Sequence, residues 1–162
     1  MYGETFVVPE IMIPEVAARV MALDDPTQKM SKSSPTPAGY IALLDEPDAI
    51  RRKIRRAVTD SGTEIAASPD KPAITNLLGI YAALAGKNIP ELEEQYRGKG
   101  YGDLKRDLAE VVVEALSPIR GRALELLDDP REIDEILEDG AERARKVASS
   151  TLRDAWAKMG LD

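Results

Sequence analysis

The feature that most constrains the fold of this chain is a helical spacing of apolar residues that recurs throughout the sequence after Asp45. Apolar residues three or four positions apart form one stripe along an α-helix. The stripes predict a mainly α-helical fold, with five or six helices packed through them. Their members are Ile50, Ile54, Ala57 and Val58; Ile74, Leu77, Leu78, Tyr81, Leu84 and Ala85; Leu92 and Tyr96; Leu104, Leu108, Val111, Val112, Ala115, Leu116, Ile119, Ala123 and Leu126; and Ile133, Ile136, Leu137, Ala141, Ala144, Val147, Ala148, Leu152, Ala155, Trp156 and Met159.

The composition agrees with packed helices. Hydrophobic residues make up 43% of the 162 residues, but only seven are aromatic: one Phe, one Trp and five Tyr. A core at this length must therefore be built from Leu, Ile, Val and Ala. This mixture favours helical packing over a β-sandwich.

Local sequence signals predict where the helices begin and end. Proline and acidic residues open a helix after Asp45, and Asn88–Glu91 and Asp129–Glu132 each resemble a capping sequence. Glycine is expected to end two helices, at Gly86 and Gly160. Two further residues lie inside predicted helices. Pro118 should kink or interrupt the helix from about Tyr101 to Leu127, and Gly140 would mark a bend or a close contact.

The first 44 residues give weaker signals. Thr5–Val8 and Ile11–Ile13 are each closed by a proline, which predicts extended backbone. Pro14–Leu23 is ambiguous, because Val16, Val20 and Leu23 have helical spacing over a short stretch. Tyr40–Leu44 fits either a short buried strand or a helical turn.

The segment Lys29-Met30-Ser31-Lys32-Ser33 is predicted to be a loop, because prolines flank it on both sides. Its two ammonium groups, its hydroxyls and its free backbone N–H groups suit a polyphosphate. Composition alone also allows a solvated basic loop, and without other information it favours that interpretation.

These five residues read KMSKS, and the loop resembles the second conserved motif of class I aminoacyl-tRNA synthetases. The surrounding sequence is similar to the tryptophanyl-tRNA synthetase family in particular, from about Tyr2 to about Leu161. The similar stretches are Ala17–Gln28, Val58–Ser61, Thr75–Leu78 and Gly98–Lys105. The chain resembles the C-terminal part of a bacterial member of that family.

The resemblance implies a domain organisation and a set of site residues. Residues 1–44 would be the edge of a Rossmann-like nucleotide-binding domain that carries the KMSKS loop, and residues 45–162 a helical, anticodon-binding domain. Lys29 and Lys32 would be catalytic, by neutralising charge on the leaving pyrophosphate. The implied ATP-binding residues are Arg19, Val20, Lys29, Met30, Ser31, Lys32 and Ser33.

The resemblance also implies substrates and partners. ATP with Mg²⁺ would be a substrate, tRNA(Trp) the nucleic-acid partner, and the whole protein a homodimer. The family requires a His-x-Gly-His type motif, whereas this chain contains no histidine. Tryptophan would bind only through a missing N-terminal portion, so the chain is expected to be part of a tryptophan–tRNA ligase and inactive alone.

Charge patterning leaves alternatives open. The net charge of −7 argues against indiscriminate nucleic-acid binding. A basic cluster at residues 51–56 could be a solvated helix face or an electropositive surface that faces ATP or tRNA. Other candidate contacts to RNA are Arg120, Arg122, Arg143, Arg145, Lys146 and Arg153. A non-catalytic helical RNA-binding module with a vestigial loop, or a purely structural bundle, are the competing hypotheses.

The absence of cysteine and histidine argues against a disulfide framework and against a transition-metal site, so we predict no metal site in the protein. No apolar run approaches the roughly 20 residues that span a bilayer. We expect a cytoplasmic protein without membrane association.

Overall fold

The computed structural model describes residues 3–14 and 17–161. Within these residues there are five α-helices and no β-strand, which confirms the predicted helical fold. The helices are α1 (Pro47–Arg56), α2 (Pro72–Ala85), α3 (Ile89–Gln95), α4 (Tyr101–Asp128) and α5 (Pro130–Met159), preceded by one 3₁₀ turn at Pro37–Gly39.

The chain divides into two compact units. One comprises Ile13–Ala123, and the other comprises Met1–Met12 together with Leu124–Asp162. The predicted boundary between residues 44 and 45 concerns the organisation of a longer protein and stays a prediction.

The unit Ile13–Ala123 contains a hydrophobic core to which α1, α2, α3 and the first half of α4 contribute. Leu78 of α2, Leu92 of α3 and Leu104 and Leu108 of α4 are completely buried. The predicted stripes are therefore confirmed at the positions that form this core. Four predicted stripe residues of this unit are exceptions: Val58, Leu84, Ala85 and Ile119 are exposed, Val58 to 46%, Leu84 to 41% and Ile119 to 52%.

The predicted helix ends are confirmed by their hydrogen bonds and backbone angles. Asn88 accepts from the N–H of Glu91 at 2.9 Å, and the Glu91 carboxylate accepts from the N–H of Asn88 at 3.1 Å, which is a complete capping box. Asp129 accepts from the N–H of Arg131 at 3.2 Å. Gly86 and Gly160 adopt the left-handed conformation that ends a helix, with φ of 64° and 73°.

The prediction that Pro118 interrupts its helix is wrong, and so is the prediction that Gly140 marks a bend between two helices or a close contact. Helix α4 continues without interruption through Pro118, whose side of the helix is exposed. The neighbouring Ser117 hydroxyl donates to the carbonyl of Val113 at 2.6 Å, whereas the carbonyl that Pro118 leaves without its usual helical donor is that of Glu114. Gly140 lies inside the single helix α5, and a Cβ there would contact no other described residue within 4 Å.

The unit Met1–Met12 and Leu124–Asp162 lacks a core of its own among the described residues. None of the described residues of helix α5 is buried, although its apolar stripe predicts that the helix packs against another element. Val147 is 77% exposed and Leu137 is 63% exposed. An apolar stripe shows which face of a helix can be buried, but burial requires a second surface that packs against that face.

The predicted extended segments near the start form no strand within the described residues. Thr5–Val8 and Ile11–Ile13 are without regular secondary structure, and Val7 and Met12 are 95% and 96% exposed. Val16, which contributes to the ambiguous helical spacing, lies outside the described residues. The segment Tyr40–Leu44 is neither strand nor helix, with Leu43 and Leu44 in an exposed turn.

Candidate functional site

The segment that leads into the basic loop forms a minimal hairpin. Met21 and Lys29 make an isolated antiparallel bridge. The N–H of Met30 donates to the carbonyl of Val20 at 3.0 Å, and the N–H of Ala22 donates to the carbonyl of Gln28 at 2.8 Å. Met21 and Lys29 are therefore a non-hydrogen-bonded pair, in which each residue's own N–H and C=O point away from the opposite strand.

Asp25 and Thr27 form the turn of this hairpin. The Asp25 carboxylate accepts from the Thr27 hydroxyl at 2.6 Å and from the Thr27 N–H at 2.9 Å. These bonds stabilise the ionised carboxylate, and the hydroxyl bond is the main cause of a lowered Asp25 pKa. A side chain that bonds to the backbone two residues later is a common way to fix a turn.

Helix α2 holds the outer edge of the hairpin through Asn76. The Asn76 side-chain amide donates to the carbonyl of Met21 at 2.9 Å, and its Oδ1 accepts from the N–H of Met21 at 2.8 Å. One side chain therefore satisfies both outward-facing backbone groups of Met21. It acts as a neighbouring strand would act at the edge of a sheet.

A second set of bonds closes the base of the loop. The N–H of the buried residue Leu23 donates to the carbonyl of Gly39 at 2.9 Å, and the Thr36 hydroxyl donates to Asp24 at 2.6 Å. A Cβ at position 39 would lie 2.4 Å from Asp24 Oδ1, so only glycine fits this close approach without a shift. The two chain segments that enter and leave the loop are thus joined below Lys29–Ser33.

The loop itself presents its polar side chains to solvent. Lys29, Ser31, Lys32 and Ser33 are exposed, whereas Met30 is half-buried and packs against the core. The N–H of Ser34 donates to the carbonyl of Ser31 at 3.1 Å, which makes a turn through Lys32 and Ser33. Among the residues that the structure describes, neither lysine has an ion-pair partner. Both ammonium groups are therefore accessible to an anion.

A cavity of about 650 Å³ lies between Arg19–Met21 and one face of α2. Arg19 and Val20 line it, together with Asn76, Gly79 and Ile80, whereas Lys29–Ser33 do not. Thr75 and Ser68 also line the cavity, and the Thr75 hydroxyl donates to the carbonyl of Ser68 at 3.1 Å and accepts from the N–H of Ser68 at 3.0 Å. The structure therefore brings Arg19 and Val20 together at a cavity, and places the KMSKS residues on the adjoining hairpin.

The basic cluster of α1 divides into paired and unpaired residues. Arg51 forms ion pairs with Glu110 at 2.8 Å and Asp48 at 3.0 Å, and the Arg51 bonds lower the pKa of Glu110. Lys53 pairs with Asp45 at 2.5 Å. Within the described part of the chain, the exposed residues Arg52, Arg55 and Arg56 form no ion pair. Only these three remain candidates for an external anion.

The other candidate RNA contacts are similarly mixed. Arg120 pairs with Glu46, and Arg143 pairs with Asp139 at 2.9 Å. Arg153 donates to the carbonyl of Ser149 at 3.3 Å. Arg145 and Lys146 are exposed.

Sequence reasoning misses the residues that support the loop. In the sequence, Asn76 and Asp24 appear only within the stretches Thr75–Leu78 and Ala17–Gln28 that resemble the family, with no role assigned to either residue. The available signal is the pair Thr75-Asn76, which interrupts the otherwise apolar helix α2. Polar side chains in a buried helix must find partners, and here both bond to backbone of other segments.

A further polar cluster fixes the segment between α1 and α2. The Tyr101 hydroxyl donates to Asp60 at 2.7 Å, and Lys71 donates to the carbonyl of Glu64 at 2.8 Å. Desolvation, followed by the bond to Asp60, raises the pKa of Tyr101 to about 12. This cluster ties the start of α4 to residues 60–71.

The described residues contain no group of three or more His, Cys, Asp or Glu side chains that could hold a metal ion. Without such a group, Mg²⁺ would bind together with a polyphosphate substrate, since Mg²⁺ is commonly held through substrate phosphates and water. Within the same residues, no helix is both long and apolar enough to cross a membrane.

Comparison with known proteins places the chain in a family. A family model described as "tRNA synthetases class I (W and Y)" matches residues 1–117. Since this match covers more than half of the chain, the protein belongs to the class I tRNA synthetase family of the tryptophan and tyrosine enzymes.

Its relatives include the tryptophan–tRNA ligase of Bacillus anthracis, which is 53% identical over 161 residues, or 99% of this chain and 49% of that protein. A crystal structure of tryptophanyl-tRNA synthetase from Mycoplasma pneumoniae superposes with a TM-score of 0.82 at 33% identity, over 92% of this chain and 45% of that one. The Campylobacter jejuni enzyme, complexed with ADP and tryptophan, superposes with a TM-score of 0.63 at 31% identity, over 99% of this chain and 49% of that one. The chain spans about half the length of these relatives.

Proposed function

We propose that this chain is part of a tryptophan–tRNA ligase and supplies its KMSKS loop. The whole enzyme would activate tryptophan with ATP, release pyrophosphate, and transfer the aminoacyl group to tRNA(Trp). The relatives named above support the tryptophan specificity, because those that match over nearly the whole chain are tryptophan enzymes. The half of the enzyme outside this chain would bind tryptophan and contribute the His-x-Gly-His type motif.

The observation that carries the proposal is the arrangement of Lys29–Ser33. Two exposed ammonium groups, without ion-pair partners among the described residues, project from a loop whose base is fixed and whose Met30 packs against the core. Pre-positioned donors that carry no competing internal pair are well suited to an anion that becomes more negative during a reaction. An ordinary solvated loop requires neither the anchored base nor the packing of half-buried Met30 against the core.

In this proposal Lys29 and Lys32 bind the β- and γ-phosphates of ATP. As the bond between the α- and β-phosphates breaks, negative charge moves onto the departing pyrophosphate, and the two ammonium groups stabilise it. Ser31, Ser33 and nearby N–H groups donate hydrogen bonds to phosphate oxygens. Mg²⁺ bound together with ATP would neutralise further phosphate charge.

The cavity beside the loop would take the nucleoside end of ATP. Its walls combine apolar side chains with the backbone of Val20, which suits a planar base and a ribose. Arg19, which lines the same cavity, would bind a phosphate through its guanidinium group. The ADP and tryptophan bound to the C. jejuni relative are consistent with a nucleotide site in this family.

The helical portion would bind tRNA. We assign residues 1–44 to the edge of the catalytic domain and residues 45–162 to the tRNA-binding domain, with a homodimeric and cytoplasmic enzyme as the family resemblance implies. Arg52, Arg55 and Arg56, together with Arg145 and Lys146, are the basic residues most available for phosphate contacts.

The first prediction tests the loop. In a full-length enzyme that contains this chain joined to a complete catalytic half, Lys32→Ala should slow adenylate formation by about 30- to 1000-fold, or about 2–4 kcal/mol. ATP affinity should change much less, because the lysine interacts more strongly with the departing pyrophosphate than with bound ATP. Pre-steady-state adenylate formation measures the rate, and melting of the same samples checks that the variant is folded.

Two controls accompany this experiment. This chain alone should show no tryptophan-dependent ATP–pyrophosphate exchange. Arg97→Ala should leave the rate unchanged, because Arg97 is exposed and, among the described residues, its ion pair is with Glu94 three positions earlier. An unchanged rate in folded Lys32→Ala, combined with retained tRNA binding, would instead support the non-catalytic RNA-binding module.

A further inference from the structure

The Asn76 side chain occupies an unusual position for an amide on a largely apolar helix. It lies on α2, yet both of its hydrogen bonds go to the backbone of Met21, 55 residues earlier in the chain. The distances of 2.8 and 2.9 Å are those of good N–H···O bonds. Asn76 is half-buried, so these bonds satisfy groups that would otherwise lose contact with water.

The consequence for the loop follows from the pairing of the hairpin. Met21 lies directly opposite Lys29, and the bonds from Met30 to Val20 and from Ala22 to Gln28 flank this pair. Any shift of Met21 relative to α2 must therefore shift Lys29 with it. A bidentate contact restricts rotation as well as translation, because both bonds must be kept at once.

We propose that Asn76 is a positioning residue for the phosphate-binding lysines. By holding both backbone groups of Met21, it fixes the hairpin that carries Lys29 to helix α2 and so to the hydrophobic core. This inference rests on the proposed function for its catalytic consequence. Its structural part, that Asn76 sets the order of the hairpin, stands independently of that function.

The chosen variant is Asn76→Asp, which is nearly isosteric. An ionised aspartate still accepts from the N–H of Met21, but it places a second oxygen against the Met21 carbonyl where the amide donated. The matched control is Asn88→Ala, which removes the capping box of α3 and lowers global stability without touching the hairpin or the cavity.

The first measurement is amide hydrogen exchange in this chain. The reporters are the N–H groups of Ala22 and Met30, whose acceptors are Gln28 and Val20 rather than Asn76. Asn76→Asp should reduce their protection by about tenfold or more, relative to the buried core amide of Leu108. Asn88→Ala should reduce the protection of the reporter amides and of the Leu108 amide by the same factor. If Asn76→Asp reduces the protection of the hairpin amides and of the core amide by the same factor, Asn76 has a merely structural role and the inference is overturned.

The second measurement is adenylate formation in the full-length enzyme. Asn76→Asp should slow it by about tenfold or more at saturating ATP, and Asn88→Ala should not, when both are folded. If Lys32→Ala slows the reaction and Asn76→Asp does not, the positioning role is wrong and the proposed function survives. If neither slows it while the hairpin amides lose protection selectively, the proposed function fails, and with it the catalytic consequence, while the structural part holds.

Discussion

At the scale of single residues, the base of the loop depends on a close approach that only glycine allows. Gly39 is buried, its carbonyl accepts from Leu23, and the Asp24 carboxylate fills the space where a side chain would begin. Its φ is not in the left-handed region, so the requirement is for space and not for backbone conformation. This distinguishes it from Gly86, where the positive φ matters.

We therefore expect Gly39→Ala to destabilise the chain by about 1–3 kcal/mol, the usual cost of overpacking. The added methyl group would displace Asp24 and weaken its bond from Thr36. The matched control is Gly121→Ala, inside α4, where a Cβ meets no described residue within 4 Å. That substitution should stabilise the chain by about 0.5–1 kcal/mol, because glycine is unfavourable inside a helix. Urea denaturation measures both, and a neutral Gly39→Ala would contradict the steric argument.

At the scale of secondary-structure elements, Pro118 shows how packing changes a local expectation. Proline removes a backbone N–H, so the carbonyl of Glu114 loses the donor it would have in an ordinary helix. Helix α4 nevertheless runs from Tyr101 to Asp128. Its first half is anchored in the core by Leu104, Leu108 and Val112, and good helix formers such as Leu, Ala and Glu follow the proline.

Replacing this proline should stabilise the helix. Pro118→Ala restores the missing donor and removes the ring from the preceding turn, but it also gives the unfolded chain more freedom. The penalty for proline inside a helix, about 3 kcal/mol, outweighs this gain in freedom, so we expect a net stabilisation of about 1–2 kcal/mol. The increase should appear as a higher urea midpoint with an unchanged slope. A lower midpoint would indicate that the proline stabilises a conformation other than this continuous helix.

The helices could be predicted from sequence because their signals are local. Caps at Asn88 and Asp129 and terminating glycines at Gly86 and Gly160 each act within a few residues. The burial of a stripe is less local. Val58 and Leu84 have the right spacing, but Val58 lies two residues beyond the end of α1 and Leu84 lies in the last turn of α2, and both are exposed.

The candidate site was only partly predictable for the same reason. The chemical character of Lys29–Ser33 can be read from five adjacent residues. Its supports come from residues far away in sequence: Asn76 reaches Met21 across 55 positions, and Thr36 reaches Asp24 across 12. No periodicity or motif encodes such pairs, so only the folded chain reveals that the loop has a fixed base.

At the scale of the whole molecule, the two compact units differ in how they are stabilised. The unit Ile13–Ala123 has a continuous core, whereas α5, in the other unit, buries none of its described residues. Most helical stability in proteins comes from tertiary packing and not from intrinsic propensity. The two units should therefore not lose their structure together.

Trp156 provides a test, because it is the single tryptophan of the chain and lies on α5. It is 48% exposed, whereas Tyr81 and Tyr96 are buried in the core of the other unit and their hydroxyls lie 3.3 Å apart. In urea, Trp156 fluorescence should change at lower concentration than the near-ultraviolet circular dichroism of the tyrosines. In native-state hydrogen exchange, amides near Val147 should exchange at least about 100-fold faster than those of Leu77 and Leu108, because local opening of an unpacked helix costs little.

Trp156→Phe serves as the control that the fluorescence change comes from α5. Coincident transitions, with α5 amides protected to the level of the core, would show that this chain unfolds as one cooperative unit and that α5 is as strongly stabilised as the core helices.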